Sequence, residues 1–253
     1  MNKTTKKSLN EIYVADKQGK KSVGGMFGAF WRHGPTPWNN KNKKEDRAQG
    51  SSDLPVENEV TAKGQDLVRQ NAKDLAMQIQ GMDRDRIYIY TTPLRRTKQT
   101  SRIIAEELGI DPSHIIVCDA LGGRAYGKIE GMANVKSPKT IARHPLIAIS
   151  YLMAQFGFEN NQGIESKPRF QSRVDKVIDD ILVKHKQGDF VIISANSDVW
   201  DTLRKSEFYN SFINFEHNNA VEPGECVKFN IPTDVMELIE IIGIGRESGL
   251  FRE

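Results

Sequence analysis

The sequence has little cysteine, little net charge and no long apolar segment. Its 253 residues include only two cysteines, Cys118 and Cys226, and each lies in an apolar stretch. This usage favours buried thiols in a reducing compartment over a disulfide framework. Lys and Arg number 36 against 33 Asp and Glu, and the resulting net charge of +3 gives no broad electrostatic basis for binding nucleic acid. The longest apolar stretch, PLIAISYLMAQFGF, is too short and too interrupted to span a bilayer.

The sequence also has neither the pattern of a secretory signal at its N-terminus nor the residue spacing of a metal site. Positive charges in MNKTTKKSLNEI are not followed by an apolar segment, so this stretch does not have the pattern of a secretory signal. No spacing of His, Cys and Asp is typical of a metal site. We therefore expect a soluble cytoplasmic protein without metal or cofactor, and without a nucleic-acid or membrane partner.

Strand-like and helix-like apolar patterns alternate along the chain. The pattern predicts a helix that begins near Thr61, a helix after TTP with Thr92 as N-cap and Pro93 at its first position, and a third helix ended by Gly188. Such alternation predicts an α/β fold in three layers, with a doubly wound, mostly parallel sheet and helices on both faces. The predicted strands are MFGAFW, RIYIYTT, HIIVC, DFVIISA, ECVKFNI and VMELIEIIG.

Composition divides the chain into a short extension and one domain. Residues 1–25 are polar and rich in lysine, and we interpret them as an N-terminal extension or an added hairpin. Residues 26–253 are predicted to form a single α/β domain. Within it, residues 134–168 read as a cap or insertion over the sheet, helical from about Ser137 to Phe158 with a break before Pro145.

Polar side chains follow three of the predicted strands. Arg32 and His33 come after the first strand, Arg95 and Arg96 after the second, and the segment SANSD after DFVIIS. Doubly wound sheets bind ligands at the carboxyl ends of their strands, so these residues are predicted to share one crevice. Guanidinium groups match phosphate oxygens, and a neutral imidazole can attack phosphorus. The pattern therefore indicates phosphoryl chemistry.

Two long motifs carry a resemblance to a known family. FWRHGPTPWNN ends a strand in Arg-His-Gly-x-Thr, and IYTTPLRRTKQTSRIIAEELG is a strand, turn and helix with a candidate phosphate-binding arginine. In these motifs, and across the chain from about Phe27 to Leu203, the sequence resembles the histidine phosphatase superfamily, the phosphoglycerate mutase-like proteins. The resemblance implies the phosphoglycerate mutase-like α/β fold. It also implies that the protein is a phosphomonoesterase or phosphotransferase that acts on a small phosphorylated metabolite.

The resemblance also implies roles for individual residues. His33 would be the nucleophile that forms phosphohistidine, while Arg32 and Arg96 would hold the phosphoryl oxygens. The further candidate substrate-binding residues are Thr36, Asn39, Arg95, Arg124, Tyr126 and Asn196.

The chain departs from the family pattern at two positions. The family carries a second histidine in a Ser-His-Gly step, but here the matching segment DFVIISANSDVW has none, and its place falls on Asn196 or Ala195. The position at which the family carries the glutamate that protonates the leaving oxygen is Gly123 in this chain. Glu130 and Asp198 are the candidate replacements, and Glu130 is included among the predicted catalytic residues.

These departures leave alternatives open. Loss of a general acid costs roughly 10²- to 10⁴-fold in rate. The chain is therefore either an enzyme with a replacement acid, a degenerate member that binds a phosphorylated ligand without turnover, or a scaffold redirected to another reaction on that ligand. A homodimer is compatible with the sequence.

Overall fold

The computed structural model describes residues 25–39, 47–53, 58–132, 138–158, 160–237 and 239. The predicted extension or hairpin over residues 1–25 lies outside these residues except for Gly25, which begins the first strand.

The described strands form one sheet of six strands in the order β3-β2-β4-β1-β6-β5. Strands β3, β2, β4 and β1 are parallel to one another, whereas β6 is antiparallel to β1 and β5 is antiparallel to β6. The predicted mostly parallel sheet is thus confirmed. The strands are β1 (Gly25–Arg32), β2 (Ile87–Thr91), β3 (Ile115–Val117), β4 (Phe190–Ala195), β5 (Asn214–Phe215) and β6 (Cys226–Pro232).

Helices cover both faces of this sheet, which confirms the three layers. The described α-helices are α1 (Ala62–Gln78), α2 (Arg95–Leu108), α3 (Pro138–Arg143), α4 (Pro145–Gln155), α5 (Lys167–Lys184), α6 (Ser197–Lys205) and α7 (Glu207–Asn210). Side chains alternate along β1, so Phe27, Ala29 and Trp31 pack with α1 and α2. On the opposite face, Met26 and Phe30 pack with α5 and α6.

Strand register brings the polar strand ends to one level. In the parallel pair of β1 and β4, Arg32 lies opposite Ala195, and in the pair of β2 and β4, Thr91 lies opposite Ser194. The next residues along the chain, His33 and Asn196, therefore leave the sheet side by side at its carboxyl edge. Their backbones also meet, because the His33 N–H donates to the Ala195 carbonyl at 3.2 Å.

Two local predictions were wrong. Thr92 does not cap α2: the N-cap is Leu94, and the Thr92 hydroxyl instead accepts a hydrogen bond from the Leu94 N–H at 3.3 Å and bonds the Thr97 hydroxyl at 2.6 Å. The helix therefore starts at Arg95, two residues after Pro93.

The predicted strand VMELIEIIG is also wrong where the structure describes it. Residues 233–237 are helical, and the partner of β6 on its outer side is the two-residue strand β5. The segment is a short run dominated by apolar residues, and periodicity alone does not separate a buried strand from a buried helical segment over so short a run.

The predicted cap has the expected helical break. Helix α3 ends at Arg143 and α4 begins at Pro145, whose ring is tolerated at a first helical position. Ala154 of α4 packs with Ile129 and Ile164 in a small cluster apart from the two sheet faces. Within the described part of the chain, no helix is long and apolar enough to cross a membrane.

Candidate active site

His33 follows β1 and is buried, with 2% of its surface exposed. Its Nδ1 lies 2.9 Å from the Gly34 carbonyl oxygen. A carbonyl can only accept a hydrogen bond, so Nδ1 carries the proton of the neutral ring and Nε2 keeps the lone pair. The local backbone therefore presents Nε2 as a nucleophile.

The surroundings of His33 favour the neutral imidazole. Burial, together with the charges of Arg96 and Arg32, lowers the pKa of His33 well below its usual 6.5, against an opposing effect of the Gly34 carbonyl. At neutral pH the ring is therefore uncharged, as nucleophilic attack requires.

Arg96 is fully buried in the first turn of α2. Its Nη2 donates to the Gly50 carbonyl at 2.9 Å and to Asn196 Oδ1 at 3.3 Å. Its Nε and Nη1 are buried without a hydrogen-bond partner among the described residues. Burial lowers the pKa of Arg96 to about 10, so it remains charged at neutral pH. A buried cation with unpaired donors is costly, and an oxyanion is the group that relieves the cost.

Arg32 contributes charge to the same site. Its Nη1 donates to the Val221 carbonyl at 2.9 Å, which anchors the half-buried side chain to the segment before β6. Its charge acts on the His33 imidazole, as does that of Arg96. The structure thus brings together the two arginines and the histidine that the sequence predicts.

The structure places Asn196, not Ala195, against Arg96. Asn196 accepts from Arg96 through Oδ1 and donates to the Gly50 carbonyl through Nδ2 at 3.3 Å. Ala195 is fully buried in the apolar core between β4 and α5. The neutral amide at Asn196 can donate a hydrogen bond, but it does not titrate.

Gly123 lies against the same asparagine. A Cβ at this position would lie 2.2 Å from Asn196 Nδ2 and 3.3 Å from Asp198 Oδ2. The side chains of Asn196 and Asp198 therefore occupy the space that any larger residue at Gly123 would need.

Substituting Gly123 with alanine tests this packing. The added methyl group must displace Asn196 from Arg96, and such overpacking costs about 1–3 kcal/mol. We expect the free energy of unfolding, measured by urea denaturation, to fall by that amount. The double variant Gly123→Ala with Asn196→Ala should recover part of the loss, and failure to recover any of it would contradict the proposed clash.

Glu130 braces a loop beside the site. Its carboxylate accepts hydrogen bonds from the backbone N–H groups of Ser51 at 3.1 Å, Ser52 at 3.0 Å and Tyr126 at 2.9 Å, and from the Ser52 hydroxyl. Four donors occupy the two carboxylate oxygens, which disfavours the predicted role as a proton donor to substrate.

Removing the Glu130 carboxylate is expected to loosen this loop. Glu130→Ala should lower the free energy of unfolding by about 1–3 kcal/mol, because three backbone N–H groups lose their acceptor. The same substitution at Glu106, an exposed residue of α2, should leave stability within about 0.5 kcal/mol. Equal effects of the two substitutions in urea denaturation would rule out the bracing role.

Thr36 and Asn39 bind each other in the loop after β1. The Thr36 N–H and hydroxyl donate to Asn39 Oδ1 at 3.0 and 3.2 Å, and the Asn39 N–H donates back to the Thr36 carbonyl at 2.9 Å. Gln49 Nε2 adds a contact to the Thr36 hydroxyl at 3.1 Å. These bonds order the loop that carries His33, and contact with substrate stays a prediction for both residues.

Arg95 differs from its neighbour Arg96. Its half-exposed side chain pairs with Asp53 at 3.5 Å and Glu59 at 3.8 Å, and its backbone N–H donates to Asp53. Its guanidinium therefore faces carboxylates at the surface, in contrast to the buried guanidinium of Arg96.

Arg124 connects the predicted cap to the site. Its Nε, Nη1 and Nη2 donate to the Glu165 carbonyl, Gln155 Oε1 and the Ala154 carbonyl at 2.8, 3.2 and 3.2 Å. Its backbone N–H donates to Asp198 Oδ2 at 2.7 Å. The guanidinium predicted to bind substrate is thus engaged by the cap, while its backbone belongs to the site.

Tyr126 lies at the boundary between cap and site. Burial and the nearby charge of Asp198 raise the pKa of Tyr126 above its usual value, so its hydroxyl remains protonated. Its ring packs with Tyr151 of α4, with centroids 6.4 Å apart.

The backbone carbonyl of Gly50 belongs to the site but was not predicted from the sequence. This carbonyl accepts from both Arg96 and Asn196. The one available signal is the glycine itself, because a Cβ there would lie 2.0 Å from Glu130 Oε1. Among the residues that the structure describes, no group of three or more His, Cys, Asp or Glu side chains could hold a metal ion.

Comparison with known families decides the relationship. The profile described as the histidine phosphatase superfamily (branch 1) matches residues 29–225. The chain belongs to this superfamily. Among curated proteins it is 35% identical over 104 residues to a Bacillus subtilis protein named uncharacterized phosphatase PhoE, covering 40% of this chain and 44% of that protein.

A second curated relative of this chain is a 2,3-bisphosphoglycerate-dependent phosphoglycerate mutase of Parvibaculum lavamentivorans. It is 34% identical over 102 residues, covering 40% of this chain and 42% of the mutase. The chain therefore matches less than half the length of these two curated relatives.

Solved structures agree with the superfamily fold. A mycobacterial glucosyl-3-phosphoglycerate phosphatase superposes with a TM-score of 0.55 at 16% identity, covering 80% of this chain and 88% of that one. A phosphoglycerate mutase from Thermus thermophilus superposes with a TM-score of 0.51 at 21% identity, covering 80% and 92%. At these identities the likeness concerns the fold alone.

Proposed function

We propose that this histidine phosphatase transfers the phosphoryl group of a small phosphorylated metabolite to His33 and then to water. The observation that carries the proposal is the neutral, buried imidazole of His33 beside the unpaired, buried nitrogens of Arg96. One group is a nucleophile, and the other is a fixed cation with free donors. Together they match a phosphate monoester.

The proposed first step is attack of His33 Nε2 on phosphorus. As the Nε2–P bond forms, the bond from phosphorus to the ester oxygen breaks, and the imidazole becomes positively charged. The Gly34 carbonyl accepts from Nδ1 at 2.9 Å and stabilises that charge. Arg96 and Arg32 hold the phosphoryl oxygens, and fixed positive charge of this kind is the main source of catalysis in such transfers.

The proposed second step is attack of water on phosphohistidine, which releases inorganic phosphate and returns His33 to its neutral form. The names of the two curated relatives, a phosphatase and a phosphoglycerate mutase, support a phosphorylated metabolite as the substrate class. The cap formed by α3 and α4 would set specificity within that class, since Tyr126 and Arg124 link it to the site.

The test is phosphate release from a panel of phosphomonoesters, combined with intact-mass analysis after rapid quenching. We expect turnover, a mass increase of one phosphoryl group that is labile to acid, and its assignment to His33 by peptide mapping. Turnover with the label on another residue would overturn the His33 assignment.

One observation favours binding without turnover as the second candidate. The amide of Asn196 contacts Arg96 where a titrating histidine would be able to donate a proton. If no ester is turned over while inorganic phosphate raises the melting temperature, the protein is a binder of phosphorylated ligands, and the hydrolytic proposal fails.

A further inference from the structure

Asp198 is the second residue of α6 and points its carboxylate toward the site. Oδ2 accepts from the Arg124 N–H at 2.7 Å, and Oδ1 accepts from the Val199 N–H at 3.0 Å. Oδ2 also lies 3.3 Å from the point where a Cβ of Gly123 would be, next to the amide of Asn196. This carboxylate thus shares one small space with a residue that contacts Arg96.

Burial dominates the electrostatics of this carboxylate. It raises the pKa of Asp198 to about 6, while the backbone donors and the charge of Arg96 oppose the effect. The charge of Asp198 also acts on Tyr126, and the carboxylates of Asp53 and Glu130 act on the same Arg96. A substantial fraction of Asp198 is therefore protonated slightly below neutral pH, the range in which a general acid works well.

We propose that Asp198 is the general acid that protonates the leaving oxygen of the substrate, a role that rests on the function proposed above. Gly123 carries no side chain, and Asp198 Oδ2 is the carboxylate oxygen beside the point where its Cβ would be, at 3.3 Å, next to the closer amide of Asn196. Glu130 is a weaker candidate, because its two oxygens are taken up by four donors of the loop. Asp198 accepts two hydrogen bonds from backbone N–H groups and retains lone pairs for a proton.

The proton balance follows from this assignment. While the Nε2–P bond forms and the ester P–O bond breaks, the Asp198 proton moves to the ester oxygen and a neutral alcohol leaves. In the second step the Asp198 carboxylate takes a proton from the attacking water, the Nε2–P bond breaks, and inorganic phosphate is released. Asp198 is then protonated and His33 neutral, as at the start.

Leaving groups of different acidity test the proposal. An alkyl phosphate such as glycerol phosphate needs a proton on its departing oxygen, whereas p-nitrophenyl phosphate does not. For Asp198→Asn we expect single-turnover transfer from glycerol phosphate to slow by about 10²- to 10⁴-fold, and release of nitrophenolate to slow by less than about tenfold. Glu130→Gln, the matched control, should affect both esters equally.

The pH dependence supplies a second readout that needs no variant to fold. In the wild-type protein, kcat/KM for glycerol phosphate should fall as the pH rises through about 6, because the pKa of Asp198 is about 6 and its carboxyl group loses its proton in this range. The kcat/KM for the nitrophenyl ester should not show this decline. In a folded Asp198→Asn protein the decline should disappear.

The outcomes separate this proposal from the one on which it rests. Equal slowing of both esters in Asp198→Asn, or identical wild-type pH profiles, would overturn the role of Asp198 and leave transfer through His33 intact. Undiminished release of nitrophenolate in His33→Ala would instead overturn the transfer step itself.

Discussion

His33→Ala is expected to abolish phosphohistidine and to lower turnover of every phosphomonoester by roughly 10⁴- to 10⁶-fold, the range seen when a catalytic nucleophile is removed. Its described neighbours at the site, the guanidinium of Arg96 and the amide of Asn196, are not nucleophiles of the same kind. Phosphate release and intact mass measure the effect. His217→Ala, which removes an exposed histidine, should leave both unchanged.

The role of His33 also predicts the direction in which activity changes with pH. His33 must be neutral to attack, so kcat/KM falls when the pH drops through the pKa of His33, which burial places well below 6.5. Activity should therefore persist at pH values where an exposed imidazole is already protonated. An acidic decline centred at 6.5 or above would contradict the buried, neutral imidazole described here.

Arg96→Met is expected to slow phosphoryl transfer by roughly 10³- to 10⁵-fold, the range associated with an arginine that stabilises a transferring phosphoryl group. Methionine fills similar volume and removes both the charge and the unpaired donors. Stabilisation of the folded protein by inorganic phosphate, measured as a shift in melting temperature, should be lost as well.

Arg95→Met is the matched control, because it removes the same group one residue earlier in α2. Its side chain pairs with Asp53 and Glu59 at the surface, so turnover should change by less than about tenfold, as is usual for a surface ion pair. Equal losses in the two variants would show that the charge of this helix end, and not the buried fork of Arg96, supports transfer.

The strongly periodic parts of the fold were predictable from sequence. Strands β1, β2 and β4 are short apolar segments ended by polar residues, and α5 carries a full apolar stripe. The antiparallel placement of β6 beside β1 was not predictable in this way, since it depends on pairing between segments that lie far apart in the chain. The helical turn at residues 233–237 was missed because it begins a short, mostly apolar run, which is compatible with a buried strand as well as with a buried helix.

The site was predictable to the extent that its residues follow strand ends. Arg32 ends β1, His33 follows it, and Arg96 lies in the first turn of the helix after β2, and the structure brings the three together. The partners of Arg124 were not predictable, because its guanidinium binds two backbone carbonyls. Every residue has a backbone carbonyl, so the sequence does not show which of them bind a side chain. The different surroundings of Glu130 and Asp198 likewise depend on which backbone N–H groups lie near each carboxylate.

Arg124 joins the predicted cap to the carboxylate of Asp198 through hydrogen bonds of one residue. The guanidinium holds the end of α4 and the segment before α5, while the N–H of the same residue holds Asp198 Oδ2. The hydrogen bond from the Arg124 N–H stabilises the charged carboxylate and so lowers the affinity of Asp198 for its proton. The bonds from the Arg124 guanidinium to the Ala154 and Glu165 carbonyls help to fix the position of that N–H, so packing at these two residues bears on the protonation of a group more than 30 residues away in the chain.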